Sequence, residues 1–485
     1  MSYLLKDNLK KYFLIFKLCI IASLLFLFYN GFVNYSGSKY SYVLFSIINL
    51  YLIIFSFRKK AFFFETFFGI LLFLGFWFKF TVIISFTDGI FKEGVGNFDY
   101  SPENFDYGLL ISSVGIIPLV IVGHLREIMF YYPSKINFIT TKANFYSDNR
   151  KNILLIFLLF IILTVSLNGY FKIYQKGLIP LQEINFFISG SIKWLLLFGL
   201  STVSCVLIFL EIKNFKKIFN LTIFIFLFEN FLSSISMISR GMIFNSLSII
   251  YGIYKFSKKI GKFLKIQSFI KMIIFCGILF YISVILVNEI RAKYFYIGKS
   301  RIDTLEKINV SKNENHFNFF NNNSEIFYIA TNRWVGIDAI LAVAQNKNKL
   351  GMPLLHEAFN ESFQKKSPTF YEKTFYLKST NDSTINIYEN TQGNTLTGII
   401  AFLFYSGSLL FVFITMLVLI IFANILEFIS FKASGKNLIF CSLIGQIIAF
   451  RFIHFGYLPK QSYLLFGSIF LTIFAVYVFK TFIKK

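Results

Sequence analysis

The chain has 485 residues, of which 56% are hydrophobic, 20% are aromatic and only 15% are charged. A soluble domain of this length carries more charge and fewer apolar residues. The apolar residues come in blocks of about 18 to 25 separated by short polar segments, which is the pattern of membrane-spanning helices. This pattern excludes a soluble enzyme, a disordered chain and a disulfide scaffold. The lack of alternating apolar and polar residues also excludes a transmembrane β-barrel.

The charge and the cysteine and histidine content restrict the possible partners and cofactors. A net charge of +24 would indicate nucleic-acid binding in a soluble protein, but cytoplasmic loops of membrane proteins collect Lys and Arg, so we expect no nucleic-acid partner. The four cysteines lie inside apolar blocks without zinc spacing, the chain has four histidines, and no nucleotide motif occurs. The sequence therefore predicts no metal and no cofactor.

Twelve apolar blocks predict an all-α polytopic integral membrane protein with about 12 transmembrane helices. The blocks lie at about 12–33, 41–57, 61–87, 107–124, 152–170, 188–210, 218–237, 241–255, 271–290, 399–429, 437–455 and 461–481. We divide 218–255 at Ser233–Gly241 because this stretch is polar. One helix of about 37 residues would also far exceed the roughly 20 that cross a bilayer.

The distribution of Lys and Arg predicts that both termini lie in the cytoplasm. With the N-terminus inside, the inside segments contain Arg58–Lys60, Arg126 and six lysines between Lys255 and Lys271. The segment Asp88–Asp106 on the opposite side is acidic. This asymmetry is the one that the positive-inside rule describes.

One polar segment of roughly a hundred residues interrupts the series of helices. It predicts three parts of the chain: an N-terminal membrane bundle of about nine helices over 1–290, a large outer (periplasmic) loop over 291–395 between helices 9 and 10, and about three C-terminal membrane helices over 396–485. Insertions of this size are usually functional or disordered.

Four arginines at the predicted outer boundary are candidate functional residues. An arginine in apolar sequence usually faces a cavity or a partner, and its planar guanidinium binds phosphate oxygens in a bidentate manner. Such a group suits a lipid-linked pyrophosphate. The alternative is that each arginine anchors to lipid headgroups or pairs with a nearby acid, such as Glu289 or Asp338. The four are Arg240, Arg291, Arg333 and Arg451.

Three short motifs accompany this topology. They are the turn Ser239-Arg240-Gly241, the loop segment Arg333-Trp334-Val335-Gly336-Ile337-Asp338, and Gly393-Asn394-Thr395-Leu396-Thr397-Gly398 at the return to the membrane. With its many helices and one large outer loop late in the sequence, the chain resembles the Wzy-type O-antigen or oligosaccharide repeat-unit polymerases.

The resemblance implies a metal-independent membrane glycosyltransferase at the outer face of the bacterial inner membrane. Its substrates would be a growing glycan and a single repeat unit, each on undecaprenyl pyrophosphate. The product would be O-antigen, capsule or exopolysaccharide, and a chain-length regulator is an expected protein partner.

The candidate residues take roles within this expectation. The catalytic candidates are Arg240, Arg333, Asp338 and His454, with the arginines stabilising the departing pyrophosphate and the other two available to accept a proton. The candidates for substrate binding are Arg291, Arg451 and His356.

Three other functions compete with this one. A lipid-linked oligosaccharide flippase would have two similar halves with short loops. An O-antigen ligase shares the outer loop and the lipid-linked donor but uses lipid A core as acceptor, and sequence separates it poorly from a polymerase. A subunit without chemistry would use the outer arginines only as membrane anchors.

Overall fold

The structure is a computed structural model of the chain. It describes residues 2–87, 89–91, 98–133, 136, 144–175, 185–260, 266–307, 334–360, 398–454 and 461–484. Every regular element within these ranges is a helix, which confirms the all-α prediction.

We number fifteen helices in chain order. Two of them, α3 and α6, contain a π-helical turn, at Leu74–Phe78 and Leu195–Gly199 respectively. The helices are α1 Ser2–Asn34, α2 Lys39–Ser56, α3 Phe63–Phe73 continued by Lys79–Phe86, α4 Pro102–Met129, α5 Asn144–Phe171, α6 Phe186–Trp194 continued by Leu200–Phe215, α7 Asn220–Ser236, α8 Ile243–Ile260, α9 Ile266–Lys307, α10 Ile337–Gln345, α11 Pro353–Asn360, α12 Ile399–Phe404, α13 Leu409–Ala433, α14 Leu438–Ile453 and α15 Gln461–Lys484.

The apolar helices make this a multi-pass membrane protein. Among the described residues, nine helices are long and apolar enough to cross a membrane, namely α1 to α6, α9, α13 and α15. Helices α7 and α14 are also apolar but shorter. Each of the twelve predicted blocks contains a helix, and the predicted break at Ser233–Gly241 coincides with the end of α7 at Ser236. The count of twelve membrane crossings stays a prediction.

The core of the bundle lies around α3 and α14, which pack against each other. Helix α14 has 16 residues and is about 24 Å long, which is less than the roughly 30 Å of bilayer hydrocarbon. It is buried along almost its whole length, with α8 packed on another of its sides. By contrast, α1, α5, α9 and α15 expose large apolar side chains, as helices facing lipid do.

Buried ion pairs hold together the end of the bundle at which α3 begins. The carboxylate of Glu65 accepts hydrogen bonds from Arg58 and Arg126, each at 2.7 Å. On α6, Glu211 accepts one from Arg150 at 2.8 Å. Both acids are fully buried. These pairs satisfy charges that would otherwise be very unfavourable away from water.

A carboxylate also binds the N-terminus of α3 directly. Glu427 of α13 accepts hydrogen bonds from the backbone N–H groups of Phe63 and Phe64 at 2.8 and 2.7 Å, and from the hydroxyl of Tyr132. The first N–H groups of a helix lack partners within the helix, and its dipole favours negative charge there. Glu427 therefore fixes the start of α3 to α13.

The π-helical turn of α3 receives the backbone of a distant segment. A Cβ atom added to Gly75 would lie 2.1 Å from the Val335 carbonyl oxygen, and one added to Gly336 would lie 2.3 Å from the Gly75 carbonyl oxygen. The two backbones therefore touch at a point where only glycine fits. Helix α10 begins directly after this contact, at Ile337.

The described part of the predicted outer loop contains the end of α9 and the helices α10 and α11. The proposed boundary at residue 290 falls inside α9, which continues without a break to Lys307. Residues Ile337 to Ala344 of α10 are all buried, against α4, α12 and the π-helical turn of α3. The predicted block 399–429 is also two helices, divided at Gly407, whose φ is +86°.

We expect Gly75→Ala to lower the free energy of unfolding by about 1–3 kcal/mol, because the added Cβ would overlap a backbone atom that cannot move aside freely. Gly277→Ala in α9 is the matched control, since nothing lies within 4 Å of its added Cβ. It should be neutral or stabilising by up to about 1 kcal/mol. Thermal unfolding of the full chain in detergent measures both. If Gly75→Ala and Gly277→Ala unfolded at the same temperature, the backbone contact at Gly75 would not require glycine.

Candidate functional site

Arg240 lies on a strained turn between α7 and α8. The turn begins at Ile238, a β-branched residue with φ of +51°, a backbone conformation that such residues rarely adopt. Ser239 then donates its N–H to the Ser234 carbonyl oxygen at 2.9 Å, and its hydroxyl accepts the N–H of Gly241 at 3.4 Å. A short 3-10 helix follows at Arg240–Met242. The turn is therefore defined by its own hydrogen bonds.

Arg291 holds this turn against α9. Its Nε and Nη2 atoms donate to the Ile238 carbonyl oxygen at 3.1 and 2.9 Å. The carbonyl belongs to the strained residue, so the two bonds stabilise the turn as well as joining positions 53 residues apart. Both bonds go to a neutral carbonyl oxygen.

The end of α14 approaches the same turn. A Cβ atom added to Gly241 would lie 3.1 Å from Phe450 Cζ, and the Phe450 ring lies 5.4 Å from that of Phe244. His454 stacks on Phe450 with ring centroids 3.9 Å apart, and its Nδ1 lies 3.1 Å from the Phe450 carbonyl oxygen. The segment that carries Arg451 and His454 thus lies beside the Arg240 turn.

A third segment completes the group that we call the arginine cluster, defined by Arg240, Arg291, Arg451, His454 and Trp334. The Trp334 ring meets Phe244 edge-on at 6.4 Å. A Cβ atom added to Gly398 would contact both the Ile453 carbonyl oxygen and Val335 Cγ1, at 3.0 and 3.4 Å. The predicted catalytic residue Arg333 directly precedes Trp334 but lies outside the described residues.

Lys79 connects this cluster to the core, and the sequence analysis missed it. It is buried in α3, at the first position after the π-helical turn. Its ammonium donates to the Trp334 carbonyl oxygen at 3.0 Å and forms an ion pair with Asp338 Oδ1 at 3.1 Å. The ion pair is an electrostatic contact without the geometry of a directed hydrogen bond. The signal was present in the sequence, because a lone lysine inside an apolar block is unusual.

The structure therefore gives Asp338 a partner that we did not expect. The sequence suggested either a proton acceptor or an acid paired with an arginine, and the described partner is Lys79. Asp338 lies in the first turn of α10, where a carboxylate is favoured by the helix dipole. Its position is that of a group which fixes α10, and with it Trp334, to α3.

Lys349 holds the other end of α10. Its ammonium lies 3.3 Å from the Ala344 carbonyl oxygen, in the last turn of α10, and 5.2 Å from the centre of the Phe404 ring. Basic side chains are favoured at this end of a helix. Burial lowers the pKa of Lys349.

His356 lies apart from these contacts. It is exposed on α11, and its Nε2 lies 2.9 Å from Asn360 Nδ2, one helical turn away. This local contact does not join His356 to the arginine cluster. Its role in substrate binding stays a prediction.

Three segments that are distant in sequence, which carry Arg240, Arg291 and Arg451, meet at the arginine cluster. Such an arrangement can bind the oxygens of a phosphate or pyrophosphate group. Within the described ranges, no three or more His, Cys, Asp and Glu side chains are grouped as a metal site requires.

Comparison with known proteins adds no relative. No protein-family model matches the chain, and no curated protein or solved structure is significantly similar to it. The class that the fold defines is a multi-pass, all-α membrane protein.

We expect Lys79→Met to lower the free energy of unfolding by about 3–5 kcal/mol, because it removes one partner of a buried ion pair. Adding Asp338→Leu should recover most of this loss, since the double variant leaves no buried carboxylate at this position. Lys59→Met, at an exposed lysine, is the control and should change stability by less than about 0.5 kcal/mol. Thermal unfolding of the four proteins provides the test. A double variant no more stable than Lys79→Met would contradict the pairing.

Proposed function

We propose that the chain polymerises oligosaccharide repeat units linked to undecaprenyl pyrophosphate. The reaction takes place at the outer face of the bacterial inner membrane, with both termini in the cytoplasm. The product is O-antigen, capsule or exopolysaccharide. A chain-length regulator is the protein partner that such a reaction implies.

One observation carries the proposal, namely that the segments bearing Arg240, Arg291 and Arg451 meet at one end of a membrane bundle. A diphosphate lipid presents its anionic group at the membrane surface, at the level where an arginine cluster can bind it.

The reaction exchanges one bond to the anomeric carbon for another. A hydroxyl of the acceptor unit attacks the anomeric carbon of the donor, a new glycosidic bond forms, and the bond to the pyrophosphate oxygen breaks. Negative charge develops on the departing pyrophosphate, and fixed arginines stabilise it without reorganisation. Nucleotide is not required because the donor is already activated on its lipid.

The proton of the attacking hydroxyl needs an acceptor. We assign this role to His454, because it lies beside the Arg240 turn and is held on Phe450. Asp338 is assigned to positioning instead, since Lys79 pairs with it and α10 depends on it. Arg333 retains the role that its motif suggests, in binding the donor pyrophosphate next to Trp334.

The test is the polysaccharide profile of a strain that lacks the gene and is complemented with single variants. We expect the deletion to leave core carrying one repeat unit and to abolish longer chains. Arg240→Ala and Arg333→Ala, expressed at the level of the parent, should fail to restore them, with polymer yield reduced by about 100-fold or more. Lys59→Ala, at an exposed lysine on another part of the chain, should restore a normal profile.

Other profiles would assign another function. A deletion strain with no repeat unit on core would contradict polymerisation and favour ligation or flipping of the lipid-linked unit. Normal long chains with Arg240→Ala would make that arginine a membrane anchor. Arg240→Lys separates charge from geometry, because lysine keeps the charge but loses the bidentate fork, and we expect it to restore chains only in part.

A further inference from the structure

A second polar site lies inside the bundle and takes no part in the reaction proposed above. It is centred on Glu229 of α7, whose side chain is fully buried. Ionisable residues within membrane helices are rare and usually functional. The other acids of the core have cationic or backbone partners, as Glu65 and Glu211 do with arginines, whereas the described residues contain no ion pair to Glu229.

Serine hydroxyls contact both oxygens of this carboxyl group. Ser233 Oγ lies 3.1 Å from Glu229 Oε1, and Ser201 Oγ lies 3.1 Å from Glu229 Oε2. The same Ser201 Oγ is also 3.2 Å from the amide oxygen of Asn230. Ser201 is therefore between two acceptor oxygens, one from Glu229 and one from Asn230.

The orientation of the two neighbouring amides is fixed by their other bonds. Asn230 Nδ2 donates to the Phe226 carbonyl oxygen at 2.9 Å, so its oxygen must face Ser201. Asn245 Nδ2 donates to the Leu197 carbonyl oxygen at 2.8 Å and is 3.5 Å from Ser201 Oγ. Because amide orientation follows from the hydrogen-bond network, neither group can be reversed without losing a bond.

The number of hydrogens available between these oxygen atoms indicates the protonation state of the Glu229 carboxyl group. The Ser201 hydroxyl has one hydrogen, but both Glu229 Oε2 and Asn230 Oδ1 are within bonding distance of it. If Glu229 were a carboxylate, one of these two oxygen pairs would have no hydrogen between them. A proton on Oε2 completes the network: Glu229 donates to Ser201, Ser201 donates to Asn230, and Ser233 donates to Oε1.

We propose that Glu229 is a proton-binding site inside the membrane domain, where it is held as a neutral carboxylic acid whose hydroxyl donates to Ser201. The polar contacts of Glu229 extend through Asn230 to a small cavity. Asn230 lines a small cavity between α7, α8 and α9, together with Ser234, Ser246 and Ser283. A proton leaving or reaching Glu229 has its nearest polar route through Ser201 and Asn230 to this cavity.

Infrared difference spectroscopy of the full chain in lipid bilayers tests the proposal. The carbonyl stretch of a protonated carboxyl is separate from the bands of carboxylates and amides, and it shifts on exchange into D2O. We expect the spectrum of the parent minus that of Glu229→Gln to contain this band. Glutamine keeps the shape and a donor for Ser201, so this variant should retain the fold. Glu211→Gln is the matched control and should show loss of carboxylate bands instead, because Arg150 binds Glu211.

A second variant tests the bond to Ser201. Ser201→Ala removes the acceptor, so the Glu229 band should persist and move to higher frequency as its hydrogen bond weakens. The proposal is overturned if the Glu229→Gln difference contains carboxylate bands and no protonated-carboxyl band. It is also overturned if those carboxylate bands respond to Na⁺, which would make the site one for a metal cation. An unchanged band in Ser201→Ala would refute the assigned hydrogen bond.

Discussion

The position of the arginine cluster depends on the contact between Gly75 and Gly336. Two backbones can approach this closely only where neither residue has a Cβ atom. Here a Cβ atom on Gly75 would overlap the Val335 carbonyl oxygen, and one on Gly336 would overlap the Gly75 carbonyl oxygen. The π-helical turn at Leu74–Phe78 provides the surface for this approach, consistent with the frequent occurrence of such turns at functional sites. Next to this contact, the Trp334 carbonyl oxygen accepts a hydrogen bond from Lys79, and α10 begins among buried residues.

The buried ionisable side chains of the membrane domain differ in their hydrogen-bond partners. These partners distinguish the groups that join helices from Glu229, for which we propose a function. Glu65 and Glu211 accept hydrogen bonds from arginines, and Glu427 accepts them from the backbone N–H groups at the N-terminus of α3. Lys79 is satisfied by Asp338 and a carbonyl group. Among the described residues, the hydrogen-bond partners of Glu229 are serine hydroxyls. A proton on the carboxyl group completes this hydrogen-bond network without a cation.

The sequence was sufficient for what depends on hydropathy and insufficient for what depends on packing. The polar run after Ser233 correctly divides α7 from α8. Both the polarity of this stretch and the maximum length of a membrane-spanning helix can be judged from the local sequence. The burial of Ile337–Ala344 was missed because α10, with nine residues, is too short to register as a membrane span, although it is largely apolar. The π-helical turns have no sequence signal of their own, because the inserted residue is stabilised by a distant partner such as Gly336. The contact of Arg291 with Ile238 likewise requires knowledge of how α9 packs.

The two π-helical turns suggest a common principle for placing polar groups in this bundle. A π-helical turn carries one extra residue, which changes the direction of the side chains after it and alters the hydrogen bonding of nearby carbonyls. Lys79 is the first residue after one turn and points to Asp338. Leu197 lies in the other turn, where its carbonyl accepts from Asn245, and Ser201 begins the polar contacts of Glu229 just beyond it. In both cases an irregular turn directs a polar group into an apolar core, at a point where a second helix supplies its partner. A regular helix at either position would direct these groups elsewhere and leave the partner buried without its bond.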